Sequence, residues 1–103
     1  MAKGYWIANG EVNDLEAYKK YVEANAEPFA QYGAKFLVRG GEGEILEGAL
    51  KSRTVVLEFS SYEQALACYN SDLYQKAKNI RLPVADMNLI IINGYDGPQP
   101  GST

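Results

Sequence analysis

An ionised carboxylate inside an apolar strand must find a partner, and "RTVVLEF" (Arg53 to Phe59) sets Glu58 among β-branched and aromatic neighbours. The one cation at an irregular point of the chain is Arg39, where "FLVRGGE" meets two glycines. A hairpin centred near residue 50 sets Glu47 opposite Arg53. If a bulge at Gly40 and Gly41 absorbs one or two residues, it also brings Arg39 beside Glu58. Such a pair has two readings. As a site, Arg39 holds an anionic or carbonyl oxygen, Glu58 acts as a base once burial raises its pKa, and Tyr18 supplies a third polar group. As structure, the pair pins a bent edge strand and does no chemistry.

Eight tyrosines in 103 residues is a high count. Tyr18, Tyr21, Tyr62, Tyr69 and Tyr74 fall on helical runs, Tyr18 on the inward stripe of the first, and Tyr69 and Tyr74 flanking an "NSD" break in the second. Their phenols could line a cavity between helices and sheet and bind an aromatic or oxygenated molecule; equally, each could bury its ring and leave its hydroxyl at the rim. Asn25 interrupts the apolar stripe of the first helix, so it points into a pocket or is turned to solvent by Pro28. Asn9 either polarises a carbonyl or opens a turn. Arg81 suits the end of its helix and could also contact an anion.

The absences narrow the chemistry. There is no histidine, so the usual general base and commonest metal ligand are missing. Cys68 stands alone, without a charge nearby in sequence to activate it, and reads as inert. The acidic residues lack metal-loop spacing, and "GGEG" lacks the lysine and helix of a phosphate loop. No cofactor or metal is expected. A net charge of -3 with scattered basic residues argues against nucleic acid. No apolar run is long enough for a membrane span or a signal peptide, which makes a cytoplasmic protein the expectation.

The elements that position these residues follow from periodicity. "KGYWIAN" reads as a strand, and "EVNDLEAYKKYVEANAEPFAQYG" as a helix capped by Asn13 with Glu16. Leu15, Tyr18, Val22 and Phe29 share its buried face; Pro28 should bend or split it, and Gly33 should stop it. "AKFLVR" is a strand that "EGEILEG" continues, and "RTVVLEF" is a central one. "SSYEQALACYNSDLYQKAKNIRL" is a helix capped by Ser60 with Glu63, open to a fresh cap at Ser71. "MNLIIING" is the last strand. The order β-α-β-β-α-β is the ferredoxin-like, split βαβ pattern of the α+β class, an antiparallel sheet with two helices on one face. Residues 1–95 make one domain, and 96–103 a loose tail.

Val55-Val56-Leu57 and Ile90-Ile91-Ile92 send apolar side chains to both faces of that sheet. The face without helices is therefore apolar too, and a second copy stacked on it is the simplest cover. The chain over about residues 3–94 also resembles the family called domain of unknown function 1330. The likeness rests on "YG-K-FLVRGGE-E-LEG", "VVLEF-S-E-A---Y-S--Y" and Arg81. The resemblance implies the dimeric α/β-barrel superfamily, whose members include cofactor-free monooxygenases and lactone isomerases, while the absence of histidine speaks against heme-type chemistry. The expected function is thus a homodimeric, cofactor-independent enzyme acting on a small organic molecule. The alternatives are a non-catalytic binder using the same cavity and a purely structural or interaction dimer.

Overall fold

The computed structural model describes residues 2–101. Its elements are β1 (Gly4–Val12), α1 (Leu15–Gln31), β2 (Lys35–Arg39), β3 (Arg53–Phe59), α2 (Tyr62–Asn70), α3 (Asp72–Arg81) and β4 (Ala85–Asn93). The four strands form one antiparallel sheet in the order β2-β3-β1-β4, the ferredoxin-like arrangement the sequence predicts. The expected second helix is two helices, broken at Ser71. Its hydroxyl accepts from the Tyr74 amide and donates to the Cys68 carbonyl, capping one helix and closing the other. The last two residues of the predicted tail lie outside the described residues.

Several local expectations are corrected. Asp14, not Asn13, caps α1 by accepting from the Ala17 amide, while the Asn13 amide donates to Val84. Ser61, not Ser60, caps α2 through the Gln64 amide. Pro28 neither ends nor splits α1, which runs on to Gln31. The proline lies in the last turn, where its missing N–H frees only one carbonyl. Gly33, at φ +72, stops the chain as expected. Leu15 is exposed and belongs to no buried stripe. After Arg39 no strand resumes. Residues 40–52 form an irregular segment, interrupted by positive φ at Gly40 and Gly48, and it leaves Leu46 81% exposed.

The sheet has two distinct faces. One carries Trp6, Leu57, Phe59 and Ala85 against the helices. Trp6 sits at its centre, with the rings of Phe29, Phe59, Tyr69 and Tyr74 around it and its indole N–H donated to the Ala65 carbonyl. The other face has no element over it among the described residues. Across it the pairing registers line up Val38, Val56, Ile7 and Ile90, one from each strand, in a single apolar row. Ile7 is 40% and Ile90 52% exposed. The next row holds Lys35, Glu58, Tyr5 and Ile92, and the row on the other side Thr54, Asn9 and Asn88.

The bulge lies earlier in β2 than the glycines suggest. Phe36 pairs with Leu57 and Val38 with Val56, so Leu37 is the extra residue. One inserted residue exchanges the faces of everything after it. Arg39, opposite Val55, is thereby turned to the helix side. Without the bulge it would share the open face.

Candidate functional site

A cavity opens between α1, α3 and the helix-facing side of the sheet, with an empty volume of ≈ 520 Å³ when its open mouth is included. The alternation of β3 sends Arg53, Val55 and Leu57 into it, and that of β4 sends Met87 and Leu89. From α1, Tyr18, Tyr21 and Asn25 reach it at the i, i+3, i+7 spacing of one helical face; from α3, Tyr74 and Arg81 reach it at i, i+7. Arg39 enters from the end of β2, stacked over the Phe36 ring at 4.1 Å from its centroid. Gly40 serves Arg53: at φ +66 only glycine is comfortable, and a Cβ there would run into the Arg53 guanidinium.

The polar groups are joined in part. The Tyr21 and Tyr74 hydroxyls are 2.8 Å apart, and Arg81 Nη2 donates to the Tyr74 hydroxyl at 3.4 Å. One of the two phenolic protons is used between the rings, which leaves the other for a ligand. The Arg81 guanidinium stands over the Tyr21 ring at 5.5 Å and that of Arg53 over Tyr18 at 6.0 Å. Burial raises the pKa of Tyr18, with the Tyr21 phenol adding to it and Arg53 and Arg81 opposing it. Burial also raises that of Tyr74. Both phenols are therefore neutral near pH 7. Asn25 is buried on the cavity wall, and among the described residues no side-chain hydrogen bond engages its amide.

Charge is distributed unevenly. Three arginines line the cavity and no aspartate or glutamate does. Among the described residues the ion pairs are Lys19–Glu16 and Lys51–Asp86, neither of which involves an arginine. The Nε atoms of Arg53 and Arg81 are buried without a hydrogen-bond partner among the described residues.

Of the residues singled out from the sequence, Tyr18, Asn25, Arg39, Tyr74 and Arg81 meet at this cavity. Glu58 does not. The register sets Lys35, not Arg39, opposite Glu58, and period two turns Glu58 to the open face. There its carboxylate accepts from the Tyr5 hydroxyl at 3.1 Å. The proposed Arg39–Glu58 pair, and Glu58 as a base beside Tyr18, are corrected accordingly. Glu47 is likewise not opposite Arg53, which pairs with Gly10 of β1. Asn9 lies within β1 on the open face, so it opens no turn and is not among the cavity's lining residues. Its amide donates to the Lys51 and Arg53 carbonyls and accepts from the Lys51 amide, tying residues 40–52 to β1. Tyr69 packs edge-on against Trp6 outside the cavity lining, its hydroxyl accepting from Lys78. Tyr21, one of the helical tyrosines, lines the cavity as well, and Arg53 is the polar residue that sequence reasoning did not place in a cavity. Arg53 shares the parity of Val55 and Leu57, a signal that was present.

Cys68 is buried, and burial pushes its thiol from an ordinary 9.0 up to about 12. A thiol that ionises near 9 only when unfolded stabilises the fold fully below that pH, and the contribution is lost as pH rises toward 12. The raised pKa values of Tyr18 and Tyr74 act in the same direction at higher pH. The thermal midpoint should therefore fall from about pH 9 upward, and Cys68→Ala should flatten the first part of that fall. A midpoint that climbs over this range, or a slope indifferent to Cys68→Ala, would contradict the assignment.

Among the described residues no cluster of His, Cys, Asp or Glu could hold a metal ion, and no helix is long and apolar enough to cross a membrane. Residues 3–95 match the family model of a domain of unknown function, DUF1330. Among curated proteins none matches the chain. Similar solved structures include RPA0582, a protein of unknown function from Rhodopseudomonas palustris. It is 17% identical, with a TM-score of 0.73 over 93% of this chain and 85% of that one. A dimeric ferredoxin-like protein of unknown function from Thermobifida fusca is 16% identical, with a TM-score of 0.59 over 88% and 90%. SnoaB, a cofactor-independent oxygenase from Streptomyces nogalater, is 8% identical, with a TM-score of 0.61 over 94% and 97%. At these identities the likeness is one of fold.

Proposed function

The chain belongs to the DUF1330 family, and on that premise we propose that it binds a small organic molecule in the cavity between α1, α3 and the sheet, as one subunit of a homodimer. The observation that carries this reading is a cavity wall in which tyrosine hydroxyls, arginines and a buried asparagine converge among apolar side chains. A purely structural dimer has no use for so many polar groups turned inward, since each costs desolvation. The exposed row Val38–Val56–Ile7–Ile90 supplies the dimer surface, and the dimeric ferredoxin-like neighbour from Thermobifida fusca supports it.

Catalysis on the bound molecule is a second reading, favoured by the fold likeness to a cofactor-independent oxygenase. In it the tyrosines and arginines stabilise charge developing on the substrate. No carboxylate, lysine or histidine lines the cavity to act as a base, so the substrate must lose its proton readily.

A fragment screen followed by amide NMR tests the binding site. Hits should shift the amides of Tyr18, Asn25, Tyr74 and Arg81 together, and Glu58→Gln should leave their affinity unchanged. Hits confined to the open sheet face or to residues 40–52 would refute the cavity as the site. For the second reading, consumption of dissolved oxygen with a bound hit separates oxygenase from binder.

A further inference from the structure

On the reading that the cavity is a binding site, we infer that its ligand is a small organic carboxylate: an anionic head held by Arg53 and Arg81 beside Tyr18, and a flat apolar body against Trp6, Leu57 and Leu89. Arginine cannot shed its charge on burial as lysine can, so a buried guanidinium keeps its demand for a counter-anion. Arg81 is 6% exposed, with no carboxylate within ion-pair distance among the described residues. Its Nε and that of Arg53 are buried donors without acceptors among the described residues. Orphaned donors of this kind are rare in folded proteins and call for an explanation, and both belong to arginines that line the same cavity.

Charge bias in the chain does not supply it. The protein carries a net charge of -3, yet its cavity gathers three cations and no acid. The Arg53 guanidinium stands over the Tyr18 ring at 6.0 Å, and Tyr18 lines the same cavity, so its hydroxyl is a further donor beside the head group. The guanidinium fork matches the two oxygens of a carboxylate, and charge-assisted hydrogen bonds are about twice as strong as neutral ones. The remaining wall decides between an inorganic and an organic anion. Trp6, Val55, Leu57, Met87 and Leu89 offer nothing to a hydrated phosphate, whereas they fit a hydrocarbon body. Arg39 is exposed at the rim, where it attracts the anion without burying it.

Trp6 is the only tryptophan and lines the cavity, so its fluorescence reports occupancy directly. Benzoate and phenylacetate are titrated against benzamide, phenylacetamide and inorganic phosphate at constant ionic strength. The carboxylates should bind at least about tenfold more tightly than their neutral amides. Arg53→Met, at the half-exposed start of β3, should weaken carboxylate binding about tenfold or more and leave the amides nearly unaffected, with partial rescue by Arg53→Lys. Arg81→Met should do the same, and far-UV circular dichroism identifies a variant that has lost its fold, in which case Arg53→Met decides. Amides binding as well as the carboxylates would overturn the anionic ligand while leaving the cavity a binding site. Phosphate binding more tightly than either carboxylate would overturn the organic body. If neither class binds and the fragment screen also leaves the cavity amides unmoved, the binding-site reading itself fails.

Discussion

Trp6→Ala should lower the thermal midpoint of this protein further than any other single truncation. Its ring centroid lies 4.8 Å from Tyr74, 5.2 Å from Phe29, 5.4 Å from Phe59 and 5.8 Å from Tyr69. One side chain on β1 thus joins all three helices and β3. Truncating a buried aromatic to alanine costs about 3–5 kcal/mol through lost transfer energy and the cavity left behind. The Ala65 carbonyl, which now accepts the indole proton at 2.9 Å, is also left without that partner. A domain this size loses about 4–8 °C per kcal/mol, so the midpoint should fall by roughly 15 °C or more. Against a total stability of about 5–15 kcal/mol the loss is severe. Trp6→Phe separates the causes, because it keeps most of the ring contacts and orphans the carbonyl. It should fall between wild type and Trp6→Ala by far-UV circular dichroism. A Trp6→Ala midpoint within a few degrees of wild type would mean that the helices hold to the sheet by some other contact.

The same residue shows how closely core and site are joined. Trp6 and Tyr74 are nearly inaccessible, and both line the cavity. The aromatic cluster that fastens α1 and α3 to the sheet is thus also the floor on which a ligand would rest. Substitutions meant to probe the site are safer at Arg53 or Arg39, the first residue of β3 and the last of β2.

The fold was legible because its signals are periodic. The inward stripe of α1 carries Tyr18, Tyr21, Val22 and Asn25 at spacings of three and four, and a strand's alternation is unambiguous once one member is fixed. Glu58 could have been placed by the same rule: parity groups it with Val56 and Thr54 on the open face, away from Leu57. The attraction of a buried carboxylate for a nearby arginine masked that. Arg39 is a different case. Its face depends on which residue of β2 is inserted, and the glycines that advertise a bulge at 40–41 follow Arg39, whereas the insertion falls at Leu37 before it. Nothing in the local sequence distinguishes Leu37 from its neighbours. Residues 40–52 show the converse. Two apolar pairs suggest a strand there, but four glycines and three glutamates in thirteen residues disfavour one, and Gly40 and Gly48 take positive φ.

A charge on the open sheet face should separate the proposed dimer. Ile7 stands in the middle of the row Val38–Val56–Ile7–Ile90, paired with Val56 on one side and Ile90 on the other. In a two-fold stack each substitution enters the interface twice, so Ile7→Lys would bury two ammonium groups with no acid in that row to receive them. Glu58, one row away, already accepts the Tyr5 hydroxyl. Lys35 stands opposite it in the register, so Glu58 belongs to the face that the proposed dimer would cover and not to the cavity. Wild-type protein at micromolar concentration should sediment as one species of twice 11.4 kDa. Ile7→Lys should sediment as the monomer, a weakening of at least about a hundredfold, or ~2.7 kcal/mol. Because the Ile7 side chain points away from Trp6 and the helices, the far-UV spectrum should not change. Leu15→Lys, at an exposed apolar residue on the helix side, should leave the assembly intact. If the wild type itself runs at 11.4 kDa, the apolar row belongs to some other partner; if Ile7→Lys stays at twice that mass, the two copies meet elsewhere.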